Sequence, residues 1–358
     1  MAAAKNKMMV RMLDIAREAG VSRPLVSAVL TGSAKGKIRV SEETAERIRT
    51  IAAKYHFKPN STAQMLAGKS SNIIGVLVDS YASPYVFEIL GCFEELLAKA
   101  GYCMLVAQAH DNRNAFRQSL HNFAMYKTAG ILAMAHSYPN RGFDLYDELT
   151  QHPNVLLAGR PLRDGITLPY VEKDIEGGIC QAVEYLYRTG CRRIAINVGQ
   201  KAYYDIPMTG YRRGLKKCGL LFQEELIFSG LNVKYEAVIE EQAQHLLAVE
   251  ADAVITSEFH AMQLLSMFYN LNIRVPDRIS VISVDSSFMS RGATPALSSI
   301  DFSNTNQAQM LYNRLMDLIR SGSAQSELLP SKLILRRTTQ NIEGDQSDEK
   351  TEMAVIPE

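Results

Sequence analysis

The chain has 358 residues, enough for two or three domains, and its 47% hydrophobic and 22% charged content is that of an ordinary water-soluble protein. The net charge is +1, but residues 1–69 hold thirteen Lys or Arg against five Asp or Glu, leaving the rest neutral to acidic. Such a basic head points to a bound polyanion, the plainer alternative being a solvated basic surface.

Residues 1–10 should fray. The stretch 13–30, LDIAREAGVSRPLVSAVL, then holds two short amphipathic segments meeting at Gly20-Val21-Ser22. Ile15, Ala16 and Ala19 give the first an apolar face, and Val26, Val29 and Leu30 the second. Gly20 suits a left-handed helix end, Ser22 can cap the next helix, and Pro24 falls in its first turn, where a missing N–H costs little. The pattern is a helix-turn-helix, which an unspecific two-helix hairpin would share.

The loop TGSAKGKIRV follows, where Lys35, Lys37 and Arg39 are placed to approach backbone phosphates. Ser41 caps a third predicted helix, EETAERIRTIAAKYH, with Ala45, Ile48, Ala52 and Tyr55 on one face. In a three-helix domain of this kind the second helix enters the major groove of double-stranded DNA. Its outward residues are expected to be Arg23, Leu25, Ser27 and Ala28. Arg23 suits a guanine edge or a phosphate and Ser27 a phosphate; for Arg23 the alternative is plain solvent exposure. The run AGKS at residues 67–70 is not a phosphate-binding loop, because position 63 is Ala63 where that loop needs glycine, and no strand precedes it.

From Asn72 the rhythm becomes strand–helix alternation. Apolar strands are predicted at IIGVLVDS, CMLVAQA, GILAMA, VLLAG, RRIAINVG, ADAVITS, RISVISVDSS and KLILRRT. The intervening segments 85–101, 113–126, 143–150, 175–189, 209–218, 235–249, 258–270 and 305–321 read as helices. This predicts parallel sheets covered on both faces. Residues 341–358 are polar, mostly acidic and aperiodic, and read as a disordered tail. Five cysteines with no CxxC pair argue against a disulfide framework. The first residues carry no secretion signal and no later stretch is long and apolar enough for a bilayer, so a cytoplasmic location with no membrane partner is expected.

The head carries Asp14-Ile15-Ala16, Ala19-Gly20-Val21-Ser22, Val26-Ser27, Val29-Leu30, Val40-Ser41, Thr44, Phe57, Pro59-Asn60, Ala63 and Leu66 in one register. In this it resembles the lactose/galactose repressor family of bacterial transcription regulators. Further echoes run through the body: Pro84-Tyr85, Tyr102, Gly190 with Arg193-Ile194, Gly210-Tyr211, Val275-Pro276-Asp277 with Ile279-Ser280 and Asp285, and Pro295. The resemblance implies a helix-turn-helix domain at 1–59 and a hinge at 60–71. It also implies a two-lobed body like the periplasmic sugar-binding proteins. The first lobe would be 72–172 with 303–329, and the second 173–302 with 330–340. Base reading would fall on Arg23, Pro24 and the Ala28 position, with Asn60 in the hinge and Leu66 as a wedge opening a central base step. The implied partners are a second copy of the chain, a pseudo-palindromic operator and a small sugar-like effector. A homodimer rather than a tetramer is expected, with residues 85–99 at the interface, since the tail lacks the family's leucine repeat.

Ligands of open α/β sheets bind beyond the carboxyl ends of the strands. That rule selects Asp79, Ser80, Tyr81, His136, Arg160, Gln200, Lys201, Ser257, Glu258 and Asp285, with Tyr81, Tyr85 or Phe259 to stack on a sugar ring. Each has a plainer alternative as a helix cap or strand end. The resemblance makes Asp285 the effector contact, with Tyr81 and Tyr85 facing it. Three departures matter: Ala28 stands where the family has arginine, the 30–40 loop is four residues longer than usual, and Pro207 stands where an effector-binding arginine is common. A neutral sugar is therefore the first expectation, and an acidic sugar held by Lys201 the alternative. No HxH, HExxH, GxSxG or GxGxxG occurs, so neither an enzyme nor a cofactor is expected. A stand-alone solute-binding protein is the competing reading, opposed by the basic head.

Overall fold

The computed structural model describes residues 10–30, 40–55, 57, 71–198, 205–228 and 236–341. It divides into two compact units, Met1–Ser71 and Asn72–Glu358.

In the first unit, α1 (Met12–Ala19), α2 (Arg23–Leu30) and α3 (Glu42–Lys54) share a core of Ile15, Ala16, Ala19, Val26, Ile48, Ile51 and Ala52. Gly20 ends α1 at φ 65°, and its N–H reaches the Ala16 and Arg17 carbonyls; a side chain there would be strained. Ser41 Oγ accepts from Thr44 N at 3.3 Å, satisfying a free first-turn donor of α3. Two expectations change. Tyr55 is 39% exposed, and Ile51 packs in its place, because α3 ends at Lys54 and Tyr55 leaves the helical face. Ala28 is buried at 4% rather than outward, because both α1 and α3 pack against α2.

The second unit contains two six-stranded sheets. The first has the order β13 (Glu327–Leu329), β7 (Tyr170–Lys173), β6 (Val155–Ala158), β3 (Gly130–Ala133), β1 (Ile73–Asp79), β2 (Cys103–Ala109), all parallel. The second has the order β14 (Lys332–Ile334), β12 (Ser298–Asp301), β11 (Ser280–Val284), β10 (Ala253–Ser257), β8 (Ile194–Asn197), β9 (Ile227–Phe228). Most of the apolar runs read from the sequence are interior strands, CMLVAQA and KLILRRT being the edge strands β2 and β14: Ile74, Val76, Leu77 and Val78 of β1 are fully buried, as are Ala253, Val254 and Ile255 of β10. Strands covered on both faces must be apolar throughout.

The chain leaves the first sheet after Lys173, returns after Asp301, and leaves again between Leu329 and Lys332. After the first two crossings a helix, α7 (Ile175–Arg188) or α12 (Asn304–Ser321), carries the chain back before the next strand, which is therefore parallel. Only Pro330 and Ser331 separate β13 from β14, so β14 runs antiparallel to β12. The remaining layers are α4 (Pro84–Lys99), α5 (Arg113–Met125), α6 (Tyr146–Leu149), α8 (Asp205–Cys218), α9 (Glu236–Ala248), α10 (Glu258–Asn270) and α11 (Phe288–Gly292). The helix expected at 143–150 is a hairpin of β4 (Ser137–Tyr138) and β5 (Phe143–Asp144) leading into the short α6. Gly142 turns it at φ 68°, and the Tyr138 and Phe143 rings stack at 5.1 Å.

Candidate functional site

On the first unit, α2 presents Arg23 and Pro24 to solvent at its first turn, with Ser27 one turn on and half-buried. Helix α1 and the Glu18 carboxylate hold α3 in place: Lys54 Nζ lies 2.7 Å from Glu18 Oε1, and Tyr55 Oη donates to Oε2 at 2.5 Å. Lys35, Lys37, Arg39, Asn60 and Leu66 lie outside the described residues, as do the 31–39 loop, most of the hinge and the tail beyond Asn341.

On the second unit a cavity of about 570 Å³ opens where strand carboxyl ends converge. Asp79 (after the apolar run of β1), His136 and Arg160 line it, as the strand-end rule selected. Asp79 Oδ1 accepts from Tyr81 N at 2.7 Å, and Tyr138 Oη donates to Oδ2 at 2.5 Å. His110 Nδ1 lies 2.8 and 3.0 Å from the two Asp79 oxygens. Arg160 pairs with Glu172 at 3.1 Å, and Arg141 with Asp111 at 2.6 Å. Burial pushes His136 down to about 4, so it is a neutral imidazole, sharing a 3.1 Å hydrogen bond with Tyr146 Oη. Burial also raises the Glu172 carboxyl, despite Arg160 beside it. Arg160, Glu172, Arg141, Asp111 and Lys173 each face an opposite charge, and Asp79 is held by hydrogen bonds.

Asp285 does not line the cavity. Its carboxylate forms an ion pair with Lys173, the last residue of β7, which does. The Lys173 ammonium sits 4.2 Å from the Tyr85 ring centroid and 5.1 Å from that of Phe302. Burial lowers its proton affinity, but the Asp285 carboxylate and the Tyr85 hydroxyl more than offset this, so Lys173 is held above the ordinary lysine range. Tyr85 is thus joined to Asp285 through Lys173, while Tyr81 is 64% exposed with its ring edge-on to His110 at 4.4 Å. Ser257 caps α10 through His260 N at 3.4 Å. Phe259 is 49% exposed and outside the cavity lining. Glu258 is buried, taking bonds from Ser287 and Ser290. Gln200 and Lys201 lie outside the described residues.

The sequence reading missed His110, Tyr138, Glu172, Lys173 and Gln307 in the lining. The strand-end rule would have found Lys173 had the strand ending there been recognised as one. His110 also follows a strand. Gln307 comes from inside α12 and has no sequence signal. Among the described residues no group of three or more His, Cys, Asp or Glu is placed to hold a metal ion. Among them too, no helix is long and apolar enough to cross a membrane.

Residues 11–60 match the family model "Bacterial regulatory proteins, lacI family", and residues 183–339 match "Periplasmic binding protein-like domain". The HTH-type transcriptional repressor PurR of Erwinia tasmaniensis is 27% identical over 326 residues, covering 90% of this chain and 94% of its own. PurR of Serratia proteamaculans is 27% identical over 339 residues, covering 92% and 97%. Among solved structures, the lac repressor dimer bound to operator and the anti-inducer ONPF superimposes with TM-score 0.77 at 22% identity, over 93% of this chain and 99% of that one. The fold of a CelR–cellobiose complex matches with TM-score 0.65 at 22% identity, over 92% and 99%.

Proposed function

We propose that the chain is a DNA-binding transcriptional regulator of the lacI type, as the match of residues 11–60 to that family model and the likeness to PurR repressors support, and that it acts as a cytoplasmic, dimeric repressor controlled by a small uncharged sugar or sugar-like polyol. The observation that carries the effector class is the polar cavity at the strand ends, where the Arg160–Glu172 and Arg141–Asp111 pairs offer donors and acceptors to hydroxyl groups. Structures sharing this fold include one with cellobiose and one with D-xylulofuranose, each a ligand of that protein.

Two heads on one duplex match a pseudo-palindromic operator, because successive major-groove faces recur about every 34 Å. Arg23 reads a base edge, Pro24 and Ser27 lie alongside, and Lys35, Lys37 and Arg39 neutralise phosphates. Asn60 and Leu66 belong to the hinge, with Leu66 as the wedge. The effector changes the angle between the two lobes of the body, and so operator affinity, only if it binds the two lobe arrangements with different affinity.

Selection of binding sites from random duplex DNA, followed by an effector screen on the selected site with a sugar library, tests the reading. A palindromic consensus whose binding is relieved or strengthened by one neutral sugar is the expected result. Binding with no sequence preference at physiological salt would overturn it. A response confined to acidic sugars would replace the neutral class by the charged one.

A further inference from the structure

The effector-side carboxylate of the second sheet is already filled by a group of the chain itself. Asp285 follows β11, and Lys173 ends β7 of the other sheet. The two side chains are 17% and 14% exposed. The Lys173 ammonium is boxed by Tyr85 of α4 on one side and by Phe302, at the second crossing, on another. This is the arrangement by which aromatic faces and a carboxylate hold an organic cation, here with a tethered one. Asp285 is held in the left-handed region at φ 72°, a conformation a non-glycine residue keeps only where its surroundings fix it. Its N–H donates to Ile300 O at 3.1 Å, and its carbonyl accepts from Ser283 Oγ at 2.9 Å. A second tie lies beside the first. Glu88, also on α4, accepts from Phe288 N of α11 at 2.7 Å and from Asn304 Nδ2 at 2.8 Å.

Resting on the reading of the body as an effector-controlled unit, we propose that Lys173 is an internal stand-in for an effector group: it occupies Asp285, fastens the two lobes together when no effector is bound, and sets the specificity of the adjoining cavity. A ligand that needs the paired Asp285 oxygen must first displace an ammonium held by that carboxylate and by two aromatic faces. The effector is therefore met by Lys173 and not by Asp285. Gln307, 5% exposed, also lines the cavity, and its buried Oε1 has no hydrogen-bond partner. On rotation of the Gln307 amide toward the cavity, a hydroxyl donated to that oxygen would satisfy it, and an uncharged polyhydroxylated ligand has such a donor to give.

The test uses the full chain as K173M, D285N and the double variant, each measured without effector by small-angle scattering, thermal unfolding and operator affinity. Each single variant is expected to enlarge the radius of gyration of the body. Each should also shift effector-free operator affinity at least about tenfold, in the same direction for both. The double variant should match the singles rather than add their effects, because both remove one interaction. The double variant carries no unpaired buried charge, so the comparison survives even if a single variant unfolds. Singles that leave the radius and affinity at wild-type values, or effects that add, overturn the proposal. A wild-type protein without sequence-specific DNA binding sinks the regulator reading instead, and the scattering and unfolding comparisons still decide the clamp.

Discussion

Tyr138 donates its hydroxyl to Asp79 Oδ2 at 2.5 Å, joining the β4–β5 hairpin to the carboxyl end of β1. The hairpin thereby fixes one wall of the cavity, with the Asp79 carboxylate as the acceptor that holds it. Asp79→Ala is expected to raise the effector concentration for half-response about tenfold or more while leaving effector-free operator affinity within about twofold. Operator binding across an effector titration measures both. Tyr138→Phe removes a hydrogen bond to a charged acceptor, so urea unfolding should show a loss of about 1–3 kcal/mol. An unchanged midpoint would make Tyr138 a packing residue only.

The head separates base reading from phosphate binding. Arg23→Ala should cost about 1–3 kcal/mol of operator binding and relax the preference at one base position. Lys37→Ala should weaken all sequences alike and reduce the salt slope by about one. Leu66→Ala should weaken the intact operator and reduce its bend, without lowering the unfolding temperature of the body. Gel-shift titrations on bent and unbent sites across a salt series distinguish the three; equal affinity of Leu66→Ala and parent for the bent site would remove the wedge.

Dimerisation is expected through α4 and the edge strand β2, where Phe87 is 45% and Val106 38% exposed. A charge on either desolvates unfavourably in an apolar contact. Phe87→Glu and Val106→Lys should therefore shift the chain from dimer to monomer in sedimentation at micromolar concentration. A wild-type monomer that stays so on operator DNA contradicts the arrangement.

His260 is fully buried with neither ring nitrogen bonded, and burial pushes it down to about 4 from 6.5. Above pH 6.5 both folded and unfolded chains carry it neutral, and it adds nothing to the pH dependence. Between 6.5 and 4 the unfolded chain takes up a proton that the folded chain refuses, so stability falls with pH, by about 2 kcal/mol at pH 5. His260→Leu should abolish that share of the acid loss. The check is urea unfolding of both proteins at pH 7 and pH 5; parallel losses would show that His260 titrates normally.

Helices α7 and α8 touch at Gly210, where an added Cβ would fall 2.4 Å from the Glu176 carbonyl oxygen. Both partners are backbone, so neither yields by a rotamer change. Gly210→Ala should destabilise the body by roughly 1–3 kcal/mol in urea. The next residue, Tyr211, is buried and donates to Ile194 O at 2.6 Å, which fixes α8 against β8.

The sequence alone determined the elements whose signals are local. The Gly20 turn, the Ser41 cap and the apolar strands follow from backbone conformation and burial period, which neighbours along the chain set. The same locality let the strand-end rule reach Asp79, His136 and Arg160. Tertiary structure alone decided what those residues face. Lys173 and Asp285 are 112 positions apart, and nothing in either neighbourhood marks the other as its partner. Their pairing exists because two separately wound sheets bring their strand ends together across the crossings. Gln307 reaches the cavity from the side of a helix for the same reason. The composition of a site at strand ends is thus legible from sequence, but the pairing of its charged groups depends on contacts between segments that sequence order keeps apart.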